Sequence, residues 1–460
     1  MTDLEGITNN LLDLNREEND IIEYLKNMYK IFKTEVDDET LMKLSKSVLE
    51  EVTKSRVQPT DETIKDLLKL DHVGLSIGDQ GVGCRGLGDF FVHKLITQLA
   101  KTNKSIYLSP DSLDDAGAVI IQNIDDPEGK TFIVSKMEGM HSRLSNWPFI
   151  AGFHVTRACL RDLLVKGSIP ISIMVDIHLG DDCDVAKLFD FMAGVACVAE
   201  LSNVPITAGS TLRIGGDMVI GTRITGGIAA VGVCDRVLAR KDIKRDCDIL
   251  MSEGAGGGTI ATTALYNAKP DKIIHTLNIK FLQGMQLLLS EKELLESVYC
   301  CCDVTNGGLR GDLFEILNET GLGVEIFEKD IIELVNAEVK ELLDSTSTDY
   351  LGVSLDALLI FCKPEASEKI LQLLNSNGIK TNKIGYCKDE KGMIFHSADG
   401  KTRHLTPKFR ESAYTPVKKI IGEKRDKETQ DKMNKLVQVA YENSIKKKER
   451  ILNWIKESVK

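Results

Sequence analysis

The sequence has no uninterrupted apolar run of the ~18 residues that a membrane-spanning helix needs, so no membrane partner is expected. Its opening residues, MTDLEGITNNLLDLNREEND, lack a cationic start and an apolar stretch, which argues against a secretory signal and favours a cytoplasmic location. Basic residues are in the minority, with 58 Lys and Arg against 69 Asp and Glu and a net charge of −11. A nucleic-acid backbone is therefore not expected as the main partner.

Motifs for structural zinc are also absent. No Cys-x-x-Cys pair and no His-x-x-x-His pair occurs, which leaves such a site without support. The 11 cysteines are an odd number in a chain without an export signal, so reduced thiols are expected rather than disulfides. The run Cys300-Cys301-Cys302 is predicted to be a buried strand, because three adjacent strand residues cannot all face one metal ion.

The composition is that of a globular protein with more than one domain. The 460 residues are 42% hydrophobic and 28% charged, which permits a sizeable core. Helical spacing of apolar residues gives way to glycine-rich α/β patterning at His72, and a charged, turn-rich stretch marks a boundary near residue 240. The predicted organisation is a helical extension (1–70), an N-terminal α/β domain (71–240), a C-terminal α+β domain (241–398) and a C-terminal extension (399–460).

The C-terminal extension ends in a highly charged segment in which apolar residues from Val437 to Val459 keep near-helical spacing. This pattern favours an amphipathic helix packed on the body of the protein or on a partner over a nucleic-acid-binding tail.

A first glycine cluster, GLSIGDQGVGCRGLGD, precedes the helical pattern FFVHKLITQLA. Gly81, Gly83 and Gly86 would let backbone N–H groups surround an anion at the start of that helix, and Arg85 would clamp a phosphate. The alternative is a set of simple turns, which glycine loops often form. The cluster does not fit the Walker pattern, because no Gly-Lys-Ser/Thr follows it, and the lack of a clear preceding strand argues against a dinucleotide site. Cys84 is either a nucleophile or a small buried residue.

Carboxylates gather at the ends of predicted strands. Asp114 and Asp115 precede the strand AGAVII, Glu138 follows TFIVSK, and Asp303 precedes Val-Thr-Asn-Gly-Gly, while Asp162 lies in a helix. Mg²⁺ takes a few carboxylates together with nucleotide phosphates, so the set predicts a magnesium–nucleotide site. Each aspartate taken alone is better explained as a cap or turn residue.

A second glycine loop, with Gly256 and Gly257, follows the predicted strand DILMSE and precedes a helix of small residues. Together with Gly307 and Gly308, it provides anion-binding candidates in the C-terminal half of the chain.

The order of these motifs resembles the aminoimidazole ribonucleotide synthetase-like superfamily. Members of that superfamily include thiamine-monophosphate kinase, selenophosphate synthetase, the hydrogenase-maturation dehydratase and formylglycinamide ribonucleotide amidotransferase. The resembling segments cover about residues 72 to 398 and are, in chain order, SLDDAGAVII, KMEGMH, WPFIAGFHVTRACLRDLLVKGSIPISIMVDI, VPITAGSTLRIGGDMVIGTRITGGI, CCCDVTNGGLRGDLFEIL and STDYLGVSLDALLIFCKPE. They are similar to the superfamily's Asp-Asp-Ala-Ala-Val segment, its Lys-x-Glu-x-His element, its Asp-Leu-x-x-x-Gly-Ala-x-Pro helix, its Gly-Gly-Asp/Glu-Thr turn, its Asp-Val-Thr-x-x-Gly-Leu helix start and its closing strand.

The resemblance implies a two-domain α+β fold in which strands of the N-terminal domain build a barrel across a homodimer. It also implies that ATP and Mg²⁺ lie between the domains and that the γ-phosphate activates a small-molecule substrate. By position, the metal or phosphate contacts fall on Asp114, Asp115, Glu138 and Asp162, and the catalytic roles on Lys136, His141 and Asp303. With the two glycine loops, the predicted nucleotide-binding residues are Gly81, Gly83, Arg85, Gly86, Gly209, Thr211, Gly256 and Gly257.

Three departures from the superfamily pattern keep alternatives open. The Gly-Gly-Asp/Glu-Thr turn is Ala208-Gly209-Ser210-Thr211 here and so lacks its carboxylate, and the tail ESVK lacks the cysteine that the hydrogenase-maturation dehydratase modifies. Gly-Val-Gly-Cys-Arg resembles the Gly-Cys-Gly-Cys-Lys loop of selenophosphate synthetase, with Arg85 in place of Lys. The predicted function is an ATP- and Mg²⁺-dependent kinase- or ligase-type enzyme. The alternatives are a selenophosphate synthetase-like dikinase that uses Cys84 and a non-catalytic nucleotide-binding assembly subunit.

Overall fold

The computed structural model describes residues 2–99, 106–109, 112, 114–122, 130–305, 307–411 and 413–458. In chain order its strands are β1 Thr2–Asp3, β2 Ile106–Leu108, β3 Gly117–Gln122, β4 Lys130–Gly139, β5 Ile169–Leu179, β6 Ile206–Arg213, β7 Val219–Ile220, β8 Ile224–Cys234, β9 Asp248–Ser252, β10 Val298–Asp303, β11 Gly323–Phe327, β12 Leu358–Cys362, β13 Thr381–Lys388, β14 Gly392–His396 and β15 Thr402–His404. Its helices are α1 Leu4–Asp13, α2 Glu18–Phe32, α3 Asp38–Ser55, α4 Glu62–Leu68, α5 Ile77–Gln80, α6 Leu87–Leu99, α7 Pro148–Val165, α8 Val185–Ser202, α9 Gly258–Tyr266, α10 Lys280–Ser290, α11 Lys292–Leu295, α12 Gly308–Thr320, α13 Glu328–Ile332, α14 Ala337–Ser345, α15 Pro364–Ser376, α16 Pro416–Ile421 and α17 Lys427–Ser458.

Two mixed sheets form the centre of the molecule. The first has the strand order β2-β3-β4-β8-β5-β6, in which only the β5–β6 pair is parallel. The second has the order β10-β12-β9-β13-β11-β14-β15, in which only the β11–β14 pair is parallel. The charged stretch near residue 240 lies between β8 and β9, where the chain passes from one sheet to the other. The predicted α+β fold with helical extensions is confirmed.

Helix α7 connects the two sheets. It packs on α8, on β4 and β8 of the first sheet, and on β10 of the second. Its sequence, PFIAGFHVTRACLRDLLV, is apolar at most positions and nearly every residue is buried, as expected of a helix surrounded by protein. The polar side chains that α7 carries, His154, Arg157, Arg161 and Asp162, are therefore held in the interior and need polar partners there.

The sheet face directed away from α7 carries apolar side chains that no described element covers. Cross-strand register places Val119 opposite Ile133, and Ile133 opposite Val233. On the same face Met137 is 63% exposed, and β6 is exposed along its whole length. A sheet face of this kind normally packs against another layer.

The first 70 residues form helices, as predicted. Their buried residues, among them Ile21, Leu25, Leu41 and Val52, make a core of their own that includes Ile220 of β7. Lys33 pairs with Asp181 and Asp182, which fixes this core to the first sheet. Helix α4 begins at Glu62, where the Asp61 side chain caps it by accepting from the Ile64 N–H.

The C-terminal extension reaches back across the molecule. The segment 408–411 packs on the first glycine cluster: the N–H groups of Leu87 and Gly88 donate to the carbonyls of Lys408 and Phe409. Helix α17 then packs along α6 and α4, which confirms the predicted amphipathic helix packed on the body; Val459 lies outside the described residues. None of the helices in the described ranges is long and apolar enough to cross a membrane.

The predicted cysteine strand is confirmed. Cys300, Cys301 and Cys302 lie in β10 and are fully buried. All 11 cysteines of the chain are free thiols.

Candidate functional site

A cleft of about 1350 Å³ lies where the two sheets meet, between β4 and α7 on one side and the loops that follow β9, β10 and α14 on the other. The first glycine cluster and the C-terminal extension also contribute to its wall. Ten of the 15 residues predicted to contact metal or nucleotide or to act in catalysis line it, namely Gly83, Arg85, Asp114, Asp115, Lys136, Glu138, His141, Asp162, Gly257 and Asp303. Tertiary packing thus brings together residues that are up to about 220 positions apart (303 − 83).

The first aspartate pair is neutralised by two buried cations. Lys166 Nζ lies 2.6 Å from Asp114 Oδ1 and 3.0 Å from Asp115 Oδ2. Arg240 donates through its backbone N–H to Asp114 Oδ2 at 2.9 Å and through Nη2 to Asp115 Oδ1 at 2.5 Å. Both oxygens of each aspartate are therefore in contact with a cation or a donor. Burial alone would raise the pKa of Asp115, but Arg240 and Lys166 hold it well below its usual range.

A second group of buried ion pairs lies along α7. Lys136 Nζ is 2.7 Å from Asp162 Oδ2, and Arg161 Nε is 3.2 Å from Asp162 Oδ1. Arg161 also pairs with Asp303 and Asp356, and Arg157 pairs with the other oxygen of Asp356. Although burial lowers the pKa of Arg161, the surrounding carboxylates of Asp303, Asp356 and Asp162 raise it well above its usual range. The guanidinium is therefore fixed in place as a charged group.

These ion pairs do not fit the predicted magnesium site. A hard cation needs carboxylate oxygens that are free to ligate it, whereas the oxygens of Asp114, Asp115 and Asp162 already face Lys or Arg. Glu138 is half-exposed and 3.4 Å from Lys136, so its carboxylate is less constrained, but one carboxylate does not make a magnesium site. Within the ranges that the structure describes, no three His, Cys, Asp or Glu side chains are grouped so that they could hold a metal ion.

The first glycine cluster binds an anion of its own. The N–H groups of Gly83 and Arg85 donate to the two carboxylate oxygens of Asp89, each at 2.8 Å. Two of the amides predicted to surround a phosphate are thus occupied by a side chain of the same loop. The Arg85 guanidinium lies 3.2 Å from Glu315 rather than being free to clamp a phosphate.

Five of the predicted nucleotide-binding residues do not line the cleft. Gly81 and Gly86 face the C-terminal extension, where added Cβ atoms would meet Arg410 and the Lys408 and Phe409 carbonyls. Gly209 and Thr211 belong to β6, which forms the exposed edge of the first sheet, because Ile206 to Arg213 pair in parallel with β5 instead of turning. Gly256 lies behind the cleft and its carbonyl accepts from Arg157 at 3.0 Å.

The second glycine loop does open into the cleft. Gly257, Gly258 and Thr259 line it at the start of α9, and no side chain caps this helix. The first N–H groups of an uncapped helix, and its dipole, favour an anion at that end.

His141 lies beside this helix end in a chain of hydrogen bonds. The Thr262 hydroxyl donates to the Gly258 carbonyl at 2.7 Å, so Thr262 Oγ1 can accept from His141 Nδ1 at 3.2 Å. His141 Nε2 then accepts from the Tyr414 hydroxyl at 2.8 Å. Burial, followed by the charges of Lys418 and Arg143, lowers the pKa of His141 to about 4. The imidazole is therefore neutral at physiological pH.

Several cleft residues escaped sequence analysis. Arg157 and Arg161 gave one usable signal, since two arginines four positions apart in an apolar helix must have buried partners. No pattern in the sequence indicated that Arg143 and Arg240 would line the cleft. The same holds for Tyr414 and Lys418, which the C-terminal extension brings into the cleft from far along the chain.

Two known protein families match this chain, one over most of the residues of each sheet. Residues 113–234 match the family described as AIR synthase related protein, N-terminal domain, and residues 249–397 match AIR synthase related protein, C-terminal domain. An uncharacterized protein of Methanocaldococcus jannaschii is 42% identical over 468 aligned positions that cover 100% of both chains. That alignment includes the helical extensions, which lie outside both matched domains.

Solved structures share the fold at low sequence identity. Hydrogenase maturation protein HypE in complex with ATP has a TM-score of 0.51 and 16% identity, covering 60% of this chain and 84% of that one. AaThiL complexed with AMPPCP and TMP has a TM-score of 0.52 and 15% identity, covering 70% of this chain and 96% of that one. At such identities the likeness concerns the fold alone.

Proposed function

The chain belongs to the AIR synthase related protein family, and we propose that it is an ATP-dependent enzyme that phosphorylates a small molecule or activates it with a phosphoryl group. One observation carries the proposal: the cleft between the two sheets joins the uncapped start of α9 to a set of fixed Lys and Arg side chains. Proteins of the same fold have been solved with ATP and with AMPPCP.

Phosphoryl transfer demands positioning and neutralisation of charge more than covalent chemistry by the protein. In this proposal the N–H groups at Gly257 and Gly258 receive phosphate oxygens. Lys136 and Arg161, held by Asp162 and Asp303, are fixed hydrogen-bond donors that do not need to reorganise during the reaction. Neutral His141, whose two ring nitrogens are hydrogen-bonded to Thr262 and Tyr414, positions the Tyr414 hydroxyl, which can still accept a hydrogen bond from the substrate.

The expected requirement for Mg²⁺ is not supported by the predicted ligands, since Asp114, Asp115 and Asp162 are engaged by cations of the chain. We assign no step to a metal ion held by these side chains. Turnover measured with and without Mg²⁺ tests this point directly.

We further propose that the enzyme acts as a homodimer in the cytoplasm. The uncovered apolar face of the first sheet, with Val119, Ile133 and Met137, supports pairing of two copies through this layer. The free thiols are in keeping with a reducing compartment.

The test is release of ADP and phosphate from ATP by the purified protein, alone and with a metabolite extract. Extract-dependent turnover that Glu138→Gln reduces at least tenfold, while the matched variant Glu390→Gln outside the cleft retains it, would support the proposal. Glu138 is chosen because it contacts Lys136, which the proposal assigns to the phosphate, and because it is the cleft carboxylate least engaged in ion pairs, so that its loss leaves the fold intact. Nucleotide binding without turnover in any condition would instead favour an assembly subunit.

A second candidate function rests on Cys84, which is half-buried and lines the cleft. A dikinase similar to selenophosphate synthetase would use this thiol in the reaction. Such an enzyme predicts that Cys84→Ala abolishes turnover while nucleotide binding persists, whereas Cys183→Ala, another half-buried thiol outside the cleft, has no effect. Full activity of Cys84→Ala would exclude this candidate.

A further inference from the structure

The charges of the cleft are unevenly compensated. Five of the Lys and Arg side chains that line it, Arg85, Lys136, Arg157, Arg161 and Arg240, each face a carboxylate of the chain. Arg143 and Lys418 also line it, yet no carboxylate in the described part of the chain pairs with either of them. The unpaired positive charge is thus concentrated at the end of the cleft that the C-terminal extension closes.

Both of these cations are held on aromatic rings. The Lys418 ammonium lies 4.3 Å from the centroid of Tyr414, and the Arg143 guanidinium lies 4.3 Å from the centroid of Tyr266. Arg143 Nη1 also donates to Thr415 Oγ1 at 2.8 Å, next to Tyr414. Since Tyr414 is itself fixed by His141, the two cations are positioned on the same side of the cleft before any ligand arrives.

The burial and mutual repulsion of these two cations are unfavourable in the absence of a ligand. Burial lowers the pKa of Lys418, the nearby Cys84 thiol opposes this shift and the Arg143 charge adds to it, because a half-buried ammonium beside another cation lacks a compensating carboxylate. An anionic group placed between the two side chains would restore the lost solvation and remove the repulsion.

We infer that Arg143 and Lys418 form a subsite for a phosphate-monoester group. A phosphate monoester carries a charge of about −1.5 to −2 at neutral pH, which two cations balance, and the forked guanidinium suits its oxygens. Lys418 comes from a segment outside both matched family domains, so this subsite belongs to the extended chain rather than to the shared core. The inference rests on the proposed function for the location of the cleft and adds the chemistry that one end of it recognises.

The experiment uses the full chain and measures binding of inorganic phosphate, ADP and adenosine by isothermal titration calorimetry. Lys418→Gln and Arg143→Gln each remove a charged hydrogen-bond partner and are each expected to weaken phosphate binding about tenfold or more. The matched control is Lys419→Gln, which removes the neighbouring charge of α16 outside the cleft, where it donates to the Thr346 carbonyl. Lys418→Arg keeps the charge and is expected to retain most of the affinity, which separates loss of charge from misfolding.

The affinities for ADP and adenosine show whether the bound phosphate group belongs to the nucleotide or to the second substrate. If the subsite takes a phosphate of the nucleotide, Lys418→Gln weakens ADP as well as phosphate and leaves adenosine unchanged. If it takes a phosphate of the second substrate, ADP affinity is unchanged and phosphate binds equally well to the ADP-saturated protein. Equal phosphate affinities for the wild type, Lys418→Gln and Lys419→Gln would overturn the inference, as would a wild type that binds no phosphate. Failure of the proposed function is a separate result, namely a wild type that binds no nucleotide.

Discussion

The Tyr414 hydroxyl donates to His141 Nε2 at 2.8 Å, although 273 positions separate the two residues in the chain. This hydrogen bond joins the C-terminal extension to the end of β4, inside the cleft of the matched family domains. It places His141 in one tautomer, since Nδ1 faces Thr262. The extension therefore contributes to the candidate site directly instead of only packing on the surface.

The neutral state of His141 predicts a specific pH dependence of stability. Its pKa is about 4 in the folded protein and 6.5 in the unfolded chain, so between these values the unfolded state binds more protons and stability falls as pH decreases. At pH 4.5 the loss attributable to His141 is about 2–3 kcal/mol relative to pH 7. Urea unfolding at the two pH values should show this part of the pH dependence missing in His141→Gln. The exposed His404→Gln serves as the control, and an unchanged pH dependence in His141→Gln would contradict the assignment.

Loss of Arg240 should destabilise the fold strongly. Arg240→Met removes one of the two cations that pair with the buried carboxylates of Asp114 and Asp115 and leaves Lys166 as the other. Breaking a buried ion pair in this way costs about 3–5 kcal/mol of unfolding free energy. Arg245→Met, which removes an exposed arginine 3.4 Å from Asp389, should leave the unfolding free energy near that of the wild type. Denaturant unfolding followed by circular dichroism measures both. If Arg240→Met with Asp115→Asn recovers none of the loss, the two side chains are not coupled as the structure shows them.

The contact between α7 and α8 depends on glycine. A Cβ added at Gly152 would overlap the Phe191 carbonyl oxygen, and one added at Gly194 would overlap that of Phe149. Gly152→Ala should therefore force the helices apart and destabilise the protein by about 1–3 kcal/mol or more. Gly139→Ala, where a Cβ meets nothing within 4 Å, is the matched comparison. Similar midpoints of thermal unfolding for the two variants would argue against this close helix crossing.

The proposed homodimer can be tested by a substitution on the uncovered face of the first sheet. Met137→Glu places a charge in the middle of that face and should convert a dimer into monomers, because a desolvated, unpaired charge strongly opposes association. Sedimentation equilibrium measures the mass of each variant. Val57→Glu, on an exposed apolar side chain of the helical extension, should leave the assembly unchanged. A wild-type monomer, or a Met137→Glu dimer of normal affinity, would show that copies do not pair through this sheet.

Local patterns predicted much of the fold. The helical spacing of Ile21, Leu25 and Tyr29 and the buried cysteine run of β10 depend on neighbouring residues alone, and the structure confirms both. The glycine cluster was harder to interpret, because the same spacing suits a phosphate or an internal carboxylate. The Asp89 side chain, six positions after Gly83, takes the amides that were expected to bind a nucleotide.

The sequence was sufficient to predict the type of fold, the order of the motifs and ten of the residues that line the cleft. Such properties follow from short-range periodicity and from motifs whose spacing is set by local geometry. Only tertiary structure decided the charge state and the partners of those residues. The carboxylates of Asp114, Asp115 and Asp162 look like metal ligands in the sequence, yet folding brings Lys166, Arg240 and Arg161 against them. Whether a buried carboxylate meets a metal ion or an arginine depends on contacts between distant segments, as does the arrival of Tyr414 and Lys418 in the cleft.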